Sequence, residues 1–439
     1  MSEPFENKEQ QRVPTVSAML PSGDIVELVY EPSTRRTLLA VGSASGTALH
    51  ESIDLPGGER LVPWNAENNL IKHEVVLLPA KPEEFGAVAR LVAEIDAYLY
   101  RYVDLSEAFR RIAGYYILLS WVYDAFNELP YLRLRGDYGS GKTRALIVIG
   151  SLCHKAFIAS GASTVSPIFH ILDRFRGTLI LDEADFRFSD EKAELSKILN
   201  NGNVRGIPVL RTMMTPKKEF DPRAFNVYGP KIVAMRRSFD DTALESRFIT
   251  EDMGERPLRP DIPINLPAAQ KEEARTLRNK LLSYRMRFLA KITVDDSLVD
   301  PRLSPRLNQI LVPLLSIVDD AELRTHIREA VRHVEDDLAT KRAASTEAHL
   351  VEVIVSLRNG ERSIPVADIT RAFIERFGVD YDRPITNRYV GSLVRKRLRF
   401  KTYKTDGVYV LAMGDDAKLA ALCARYGVQL SPVRLESGT

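Results

Sequence analysis

Apolar residues gather in short β-rich runs from about Val13 to Ala80 (IVELVYEP, TLLAVGSA, HEVVLLPA), broken by PSGD and PGGE. Short β-rich runs bounded by turn signals predict a small β-rich domain over residues 1–80. Across 81–127 the apolar positions fall three and four apart, in FGAVARLVAEIDAYL and LSEAFRRIAGYYILL, which predicts helices leading onward. The most apolar stretch, Tyr115 to Phe126, is interrupted by Ser120 and Asp124 and is shorter than the roughly 18 to 20 residues of a membrane span, so it reads as a buried helix. From Tyr131 strand-like and helical stretches alternate (YLRLRG, TRALIVIGSLC, TLILDEAD, KIVAM). That order predicts an α/β domain over 128–255, a parallel sheet with helices on both faces. Helical spacing with Pro-rich punctuation (RPLRPDIPINLP) then marks a helical lid, 256–345. A last unit, 346–412, reads as three helices and a hairpin, followed by a C-terminal helix and tail, 413–439.

Composition narrows the class. With 439 residues, 45% hydrophobic and 27% charged, the chain is too long for one ordinary core and suits about three domains. No solenoid-period repeat or low-complexity tract is visible. Cys153 and Cys423 lack zinc-ligand spacing and are too few for a disulfide framework, so both are expected as free thiols. The N-terminus, MSEPFENKEQQR, is acidic and polar where a secretion signal is basic and then apolar. A cytoplasmic protein with no membrane partner is the expectation. Net charge is +2, which alone says nothing of nucleic acid. Its distribution does: Ile385 to Thr405 holds seven Lys or Arg and no acid.

The candidate chemistry is concentrated in the middle third. Gly136-Asp137-Tyr138-Gly139-Ser140-Gly141-Lys142-Thr143 fits G-x-x-x-x-G-K-[ST], with an apolar strand before it and an amphipathic helix after it. Glycines at this spacing let successive backbone N–H groups converge on phosphates, and the helix N-terminus adds partial positive charge. Lys142 would reach the β- and γ-phosphates of ATP, and Thr143 would ligate Mg2+. Downstream, the apolar strand Thr178 to Leu181 ends in Asp182-Glu183. Asp182 would hold the magnesium, and Glu183 would polarise the attacking water.

The succession Lys231 to Arg237, then Asp241 to Phe248, resembles the sensor-1 strand and arginine-finger segment of AAA+ ATPases, in the AAA+ order. The resemblance implies that Arg247 is a finger reaching the γ-phosphate held by a neighbouring subunit. It also places Arg236 where the family usually carries a polar sensor-1 residue, often Asn. Leu303-Ser304-Pro305-Arg306-Leu307 looks like the sensor-2 segment of minichromosome-maintenance-type helicases and makes Arg306 the lid residue that touches nucleotide. Tyr131 to about Ile317 resembles the helicase-like ATPases of plasmids, phages and staphylococcal chromosome cassettes, which are related to those helicases. That branch implies a pore-facing hairpin within Asn203 to Tyr228, with Arg205, Arg211, Lys217 and Lys218 on phosphates; a solvated surface hairpin is the plain alternative. A finger supplied in trans demands a homo-oligomer with heterologous contacts, and a ring of six is the family expectation.

In the last unit Leu350, Val353, Ile354 and Leu357 share one helical face, Ile369, Phe373 and Phe377 a second, and Tyr389, Val390, Leu393 and Val394 a third. Strand-like runs flanking Asp406-Gly407 follow. The order resembles a winged helix-turn-helix domain. Asn387, Arg388, Ser392, Arg395 and Lys396 would then face a major groove, with Lys401 and Lys404 on phosphates; a protein-packing winged helix is the alternative. The expected function is a ring-forming ATP-driven DNA helicase or translocase of a mobile genetic element, acting in replication or initiation, with replication proteins as further partners. An ATP-switched initiator or loader, and a protein remodeller that binds its client through the β-rich domain, are the other readings.

Overall fold

The computed structural model describes residues 11–44, 46–160, 163–182, 190–214, 220–239, 241–255, 258–343, 345–358, 363–378, 385–405, 407–412 and 416–429. It comprises two compact units, Met1–Val331 and Arg332–Thr439.

The first unit is built on a five-stranded, wholly parallel sheet in the order Phe248–Asp252, Tyr131–Arg135, Lys231–Met235, Leu179–Leu181, Phe157–Ala159. The three central strands are buried almost end to end, as expected of a parallel sheet covered on both faces. Two strands escape the periodicity reading. Phe157–Ala159 is only three residues long, and Phe248–Asp252 ends in exposed acid.

Against this sheet lies the helix Glu107–Val122, whose last eleven residues are all buried. Ser106 caps it, its hydroxyl accepting from the Phe109 N–H at 3.2 Å. The helix Val88–Tyr102 packs beside it through Leu91, Ile95, Tyr98, Leu99 and Tyr102. Beyond the sheet come the helices Ala268–Phe288, Pro305–Ile317 and Ala321–Ala343. No helix among the described residues is long and apolar enough to cross a membrane.

The N-terminal strands Ser17–Met19, Ile25–Glu31, Arg36–Ser43 and Gly46–His50 form an antiparallel sheet whose buried side chains join the cores of the following helices and parallel sheet. HEVVLLPA, expected as a strand, is not one. Its backbone hands its bonds to different neighbours: Leu77 N donates to Ala156 O at 2.9 Å, Pro79 O accepts from Tyr30 N at 2.9 Å, and Ala80 N donates to Asn279 Oδ1 at 2.9 Å. Burial of Val76, Leu78 and Ala80 produces the apolar pattern without a ladder.

Glu27, on the second of these strands, is 1% exposed and has three ionic partners: Lys155 at 2.6 Å, Arg285 at 2.7 Å and His154 at 3.6 Å. Arg285 also grips Asp124 at 2.6 Å. Burial alone would raise the Glu27 pKa, but Lys155 and Arg285 outweigh it and hold the carboxylate well below its usual range. Burial, aided by the charges of Lys155 and Arg285, pushes His154 down to about 4.

The second unit has helices Thr346–Ser356, Val366–Phe377, Asn387–Lys396 and Asp416–Tyr426 and a three-stranded antiparallel sheet, Ser363–Pro365, Val408–Ala412, Thr402–Thr405. Val390, Gly391, Val394 and Leu398 supply the buried side of the third helix and the turn after it. Tyr389, expected in the core, is 42% exposed, because that face runs through 390, 391 and 394.

His154 contributes a pH response to the first unit. Its folded pKa is depressed below the ordinary 6.5, so between pH 6.5 and about 4 the unfolded chain binds the extra proton and stability falls as the medium is acidified. Its contribution from pH 7 to pH 5 is expected to be about 2 kcal/mol. Urea unfolding of the first unit at the two pH values measures it, and His154→Gln should reduce the difference by about that amount; equal pH slopes in both proteins would refute the assignment.

Candidate functional site

The segment Gly136–Thr143 leaves the C-terminal end of the strand Tyr131–Arg135 and enters the helix Lys142–Gly150. Gly136, Gly139 and Gly141 all have positive φ, +157°, +79° and +88°. Glycine is required on steric grounds at Gly136, where a Cβ would stand 2.4 Å from Met253 O and 2.9 Å from Ser140 Oγ. Lys142 Nζ turns back onto the loop, donating to Gly136 O at 2.7 Å, Asp137 O at 2.6 Å and Ser140 Oγ at 3.3 Å. Tyr138 is 91% exposed at the loop tip.

Sheet order decides what meets this loop. The strand Lys231–Met235 lies between the loop strand and Leu179–Leu181, so all three C-terminal ends open on one side. Asp182 follows the third of these and accepts from the Thr143 hydroxyl at 2.8 Å. Arg236 follows the second. A cavity of about 360 Å3 is lined by Tyr138 to Arg144, Asp182, Ala234, Met235 and Arg236. Larger cavities, about 660 and 510 Å3, lie elsewhere in the unit, but neither includes the loop. A hydroxyl and a carboxylate in contact beside an amide-lined loop are a hard-oxygen pair that fits Mg2+. The neighbouring loop fits a polyphosphate. Glu183, the expected water-polarising base, lies outside the described residues.

Arg247 is not part of this cavity. It directly precedes the strand Phe248–Asp252, which runs parallel to Tyr131–Arg135 in the register Phe248↔Tyr131 to Asp252↔Arg135. Arg247 therefore sits at the N-terminal end of the strand pair and the glycine loop at the C-terminal end. Five residues at about 3.3 Å each separate them by roughly 16 Å, more than an arginine side chain spans. Half-buried, its guanidinium donates to Asn200 Oδ1 and, at 3.5 Å, to Leu199 O. Burial lowers its pKa, and so does the charge of Arg306. Arg306 donates to Ala243 O at 2.6 Å and likewise does not line the loop cavity. The structure thus brings Arg247 within the influence of the Arg306 charge and keeps both out of the cavity at the glycine loop.

Charged residues inside the strands went unread in the sequence. Arg133 and Glu245 form a two-pronged pair, both contacts 2.6 Å, with side chains 1% and 6% exposed. This pair fixes the short helix Thr242–Glu245 and so the segment bearing Arg247. Lys231, fully buried, donates to Gly202 O, Val227 O and Gly229 O at 3.1, 2.8 and 2.9 Å, and burial holds its pKa well below the usual lysine range. The signal was a cation within an otherwise apolar strand, which needs a buried partner.

Lys231 also closes the base of the expected hairpin, Val209–Met214 paired with Phe220–Phe225. Of its candidate phosphate contacts, Lys217 and Lys218 lie outside the described residues. Arg205 precedes the ladder and donates to Asp124 O, 5.5 Å from the Tyr228 ring centroid. Arg211 points inward, 4.6 Å from the Phe169 ring centroid and 3.8 Å from Glu194. Opposite it, Arg223 meets Asp173 at 3.7 Å. The outward face instead carries Leu210, Met214 and Phe220, 70%, 65% and 75% exposed.

In the second unit Asn387, Arg388, Lys396, Lys401 and Lys404 are exposed and Ser392 is half-buried. Arg395 leans on the hairpin, 3.4 Å from Thr402 Oγ1 and 5.8 Å from the Tyr409 ring centroid. Cys153 and Cys423 are free and buried, and burial raises the Cys153 thiol to about 12.

No protein-family model and no curated protein matches the chain. Among solved structures it overlaps the C-terminal region of NrS-1 at TM-score 0.36 and 12% identity, covering 88% of this chain and 95% of that one. The JCV helicase follows at TM-score 0.25 and 12% identity, covering 57% and 61%. The Orc1 protein of Aeropyrum pernix in complex with DNA gives TM-score 0.21 and 17% identity, covering 73% and 93%. Likenesses at this level assign no family.

Gly136→Ala is expected to weaken nucleotide binding by about tenfold or more, because the new methyl group forces the loop off Met253 O. Isothermal titration with an ATP analogue and Mg2+ reads this directly, and wild-type affinity would show that the loop does not hold phosphate.

Proposed function

We propose that the chain is a ring-forming, ATP-hydrolysing AAA+ DNA helicase or translocase of the type carried by mobile genetic elements, acting in replication or its initiation. One observation carries the reading. A glycine loop and a Thr143–Asp182 pair stand at one end of the parallel sheet, and Arg247 stands at the other end of the same strand pair. An arginine placed there serves a triphosphate only when the triphosphate belongs to a neighbouring copy, which is the demand a ring satisfies. Glu183, next to Asp182 in the chain, is assigned as the base that aligns water. Arg236, at the loop cavity, is assigned to the bound γ-phosphate, and Arg306 acts beside Arg247. The second unit, read as a winged helix, engages DNA through Asn387, Arg388, Ser392 and Lys396, with Lys401 and Lys404 on phosphates.

A protein remodeller is the second reading, favoured by the apolar outer face of the hairpin with Phe220 at its tip-proximal end. Unwinding of a forked DNA substrate separates the two. The helicase reading expects ATP-dependent strand separation and DNA-stimulated hydrolysis, and an assembled preparation with neither would sink it.

Two substitutions test the active site. Glu183→Gln is expected to trap bound ATP with hydrolysis reduced by about a hundredfold or more; a normal turnover rate would remove Glu183 as the base. Arg247→Ala should keep nucleotide binding and lose hydrolysis. Mixed with Lys142→Ala subunits it should regain activity at the sites that pair an intact loop with an intact arginine. Full activity of Arg247→Ala alone would dismiss the finger.

A further inference from the structure

The second unit contains a basic hollow at the C-terminal end of its third helix. A cavity of about 480 Å3 is lined by Lys396, Arg397, Arg399, Lys418 and Arg425, with Glu347 as its one acid. Leu398, Leu422 and Tyr426 are buried and make an apolar floor. Glu347 stands 3.7 Å from Arg397 Nε and offsets one positive charge of the five.

Helix ends account for part of this arrangement. Lys396 and Arg425 occupy the last turns of the helices Asn387–Lys396 and Asp416–Tyr426, where the helix dipole favours cations. The dipole gives no reason for Arg399, which lies beyond the helix in a turn closed by Leu398 N to Leu393 O and Phe400 N to Val394 O, both 3.0 Å. Arg399 has φ +56°, the left-handed region where glycine is the low-cost residue. Its carbonyl is held by Lys418 Nζ, whose ammonium lies 4.9 Å from the Phe400 ring centroid, while its guanidinium is exposed at the hollow. The arginine thus places an exposed guanidinium on the cavity from a turn where its backbone gains nothing from the side chain.

We propose that this hollow seats a backbone phosphate of duplex DNA, as a contact additional to those of the third helix and the hairpin. The proposal rests on the DNA reading above. Guanidinium groups match phosphate oxygens in pairs, and several converging cations suit a polyanion. Three of the five cations, Lys396, Arg397 and Arg399, belong to the acid-free run Ile385 to Thr405, so a duplex lying along that run passes the mouth of the cavity.

The test uses the full chain and a mixed-sequence duplex, with affinity measured over a series of KCl concentrations. Arg399→Gly suits the left-handed turn, and Arg425 is exposed, so the double variant Arg399→Gly, Arg425→Gln should fold. It is expected to bind about tenfold more weakly at low salt, whatever the duplex sequence. The slope of log K against the logarithm of KCl concentration should fall by about 1 for each phosphate that the hollow no longer neutralises. Arg388→Ala reports separately on the third helix. If the double variant keeps the wild-type slope and affinity while Arg388→Ala weakens binding, the hollow does not touch DNA and is left to an acidic protein segment. If the wild-type chain binds no duplex, the hollow and the DNA reading fall together.

Discussion

The first unit is organised around one buried carboxylate. Removing Glu27 from water costs several kcal/mol, which only a full set of partners offsets. Those partners come from widely separated places: Ser17 in the neighbouring strand, His154 and Lys155 just beyond the phosphate-loop helix, and Arg285 far along the helix Ala268–Phe288. Arg285 passes the constraint on to Asp124 and the Trp121 carbonyl, and Asp124 in turn accepts from Arg205 below the hairpin through its backbone oxygen. Any one of these segments out of place leaves a buried charge unpaired. The N-terminal sheet, the phosphate-loop helix and the long helix after residue 267 are thereby obliged to fold together.

The same logic of buried charge positions the site. Arg133 lies on the strand that ends in the phosphate loop, and its bond to Glu245 fixes the segment ahead of Arg247. Arg144, in the first turn of the loop helix, donates to the carbonyls of Pro263 and Ile264 and ties the chain leading to the later helices to the loop. Lys231 holds both feet of the hairpin from within the sheet. Loop, arginine segment and hairpin are three surface features held by three cations within or beside one sheet.

Much of this was legible in the sequence, and the boundary of legibility has a physical cause. The glycine loop could be read because its shape depends on local backbone geometry, which glycine spacing records directly. The helices Val88–Tyr102 and Glu107–Val122 were legible because their buried faces repeat at helical spacing. Glu27 was not. In IVELVYE it reads as the polar half of an alternating strand, but the strand is covered on both faces and its partner Arg285 is 258 residues away. HEVVLLPA misled for the related reason that burial, not pairing, set its composition. Arg211 is expected on phosphate through the resemblance to helicase-like ATPases, and only the folded contacts, with the Phe169 ring centroid at 4.6 Å and Glu194 at 3.8 Å, show that its side of the hairpin faces the helices.

Arg247 gives the clearest case of topology constraining chemistry. In a parallel pair the two strands start at one end and finish at the other, so a residue before one strand and a loop after its neighbour are held apart by the strand length. The bonds that set this spacing run the length of the pair, and Tyr131 N donating to Arg247 O at 2.9 Å fixes its lower end. Rotating a side chain cannot close such a gap, and bending the pair would break its ladder and the 3.0 Å bond from Arg133 Nε to Thr250 Oγ1 across it. Within the proposed ring the meeting of arginine and phosphate is therefore decided by how neighbouring copies lie against each other, because each copy carries its loop and its arginine as opposite ends of one stiff body.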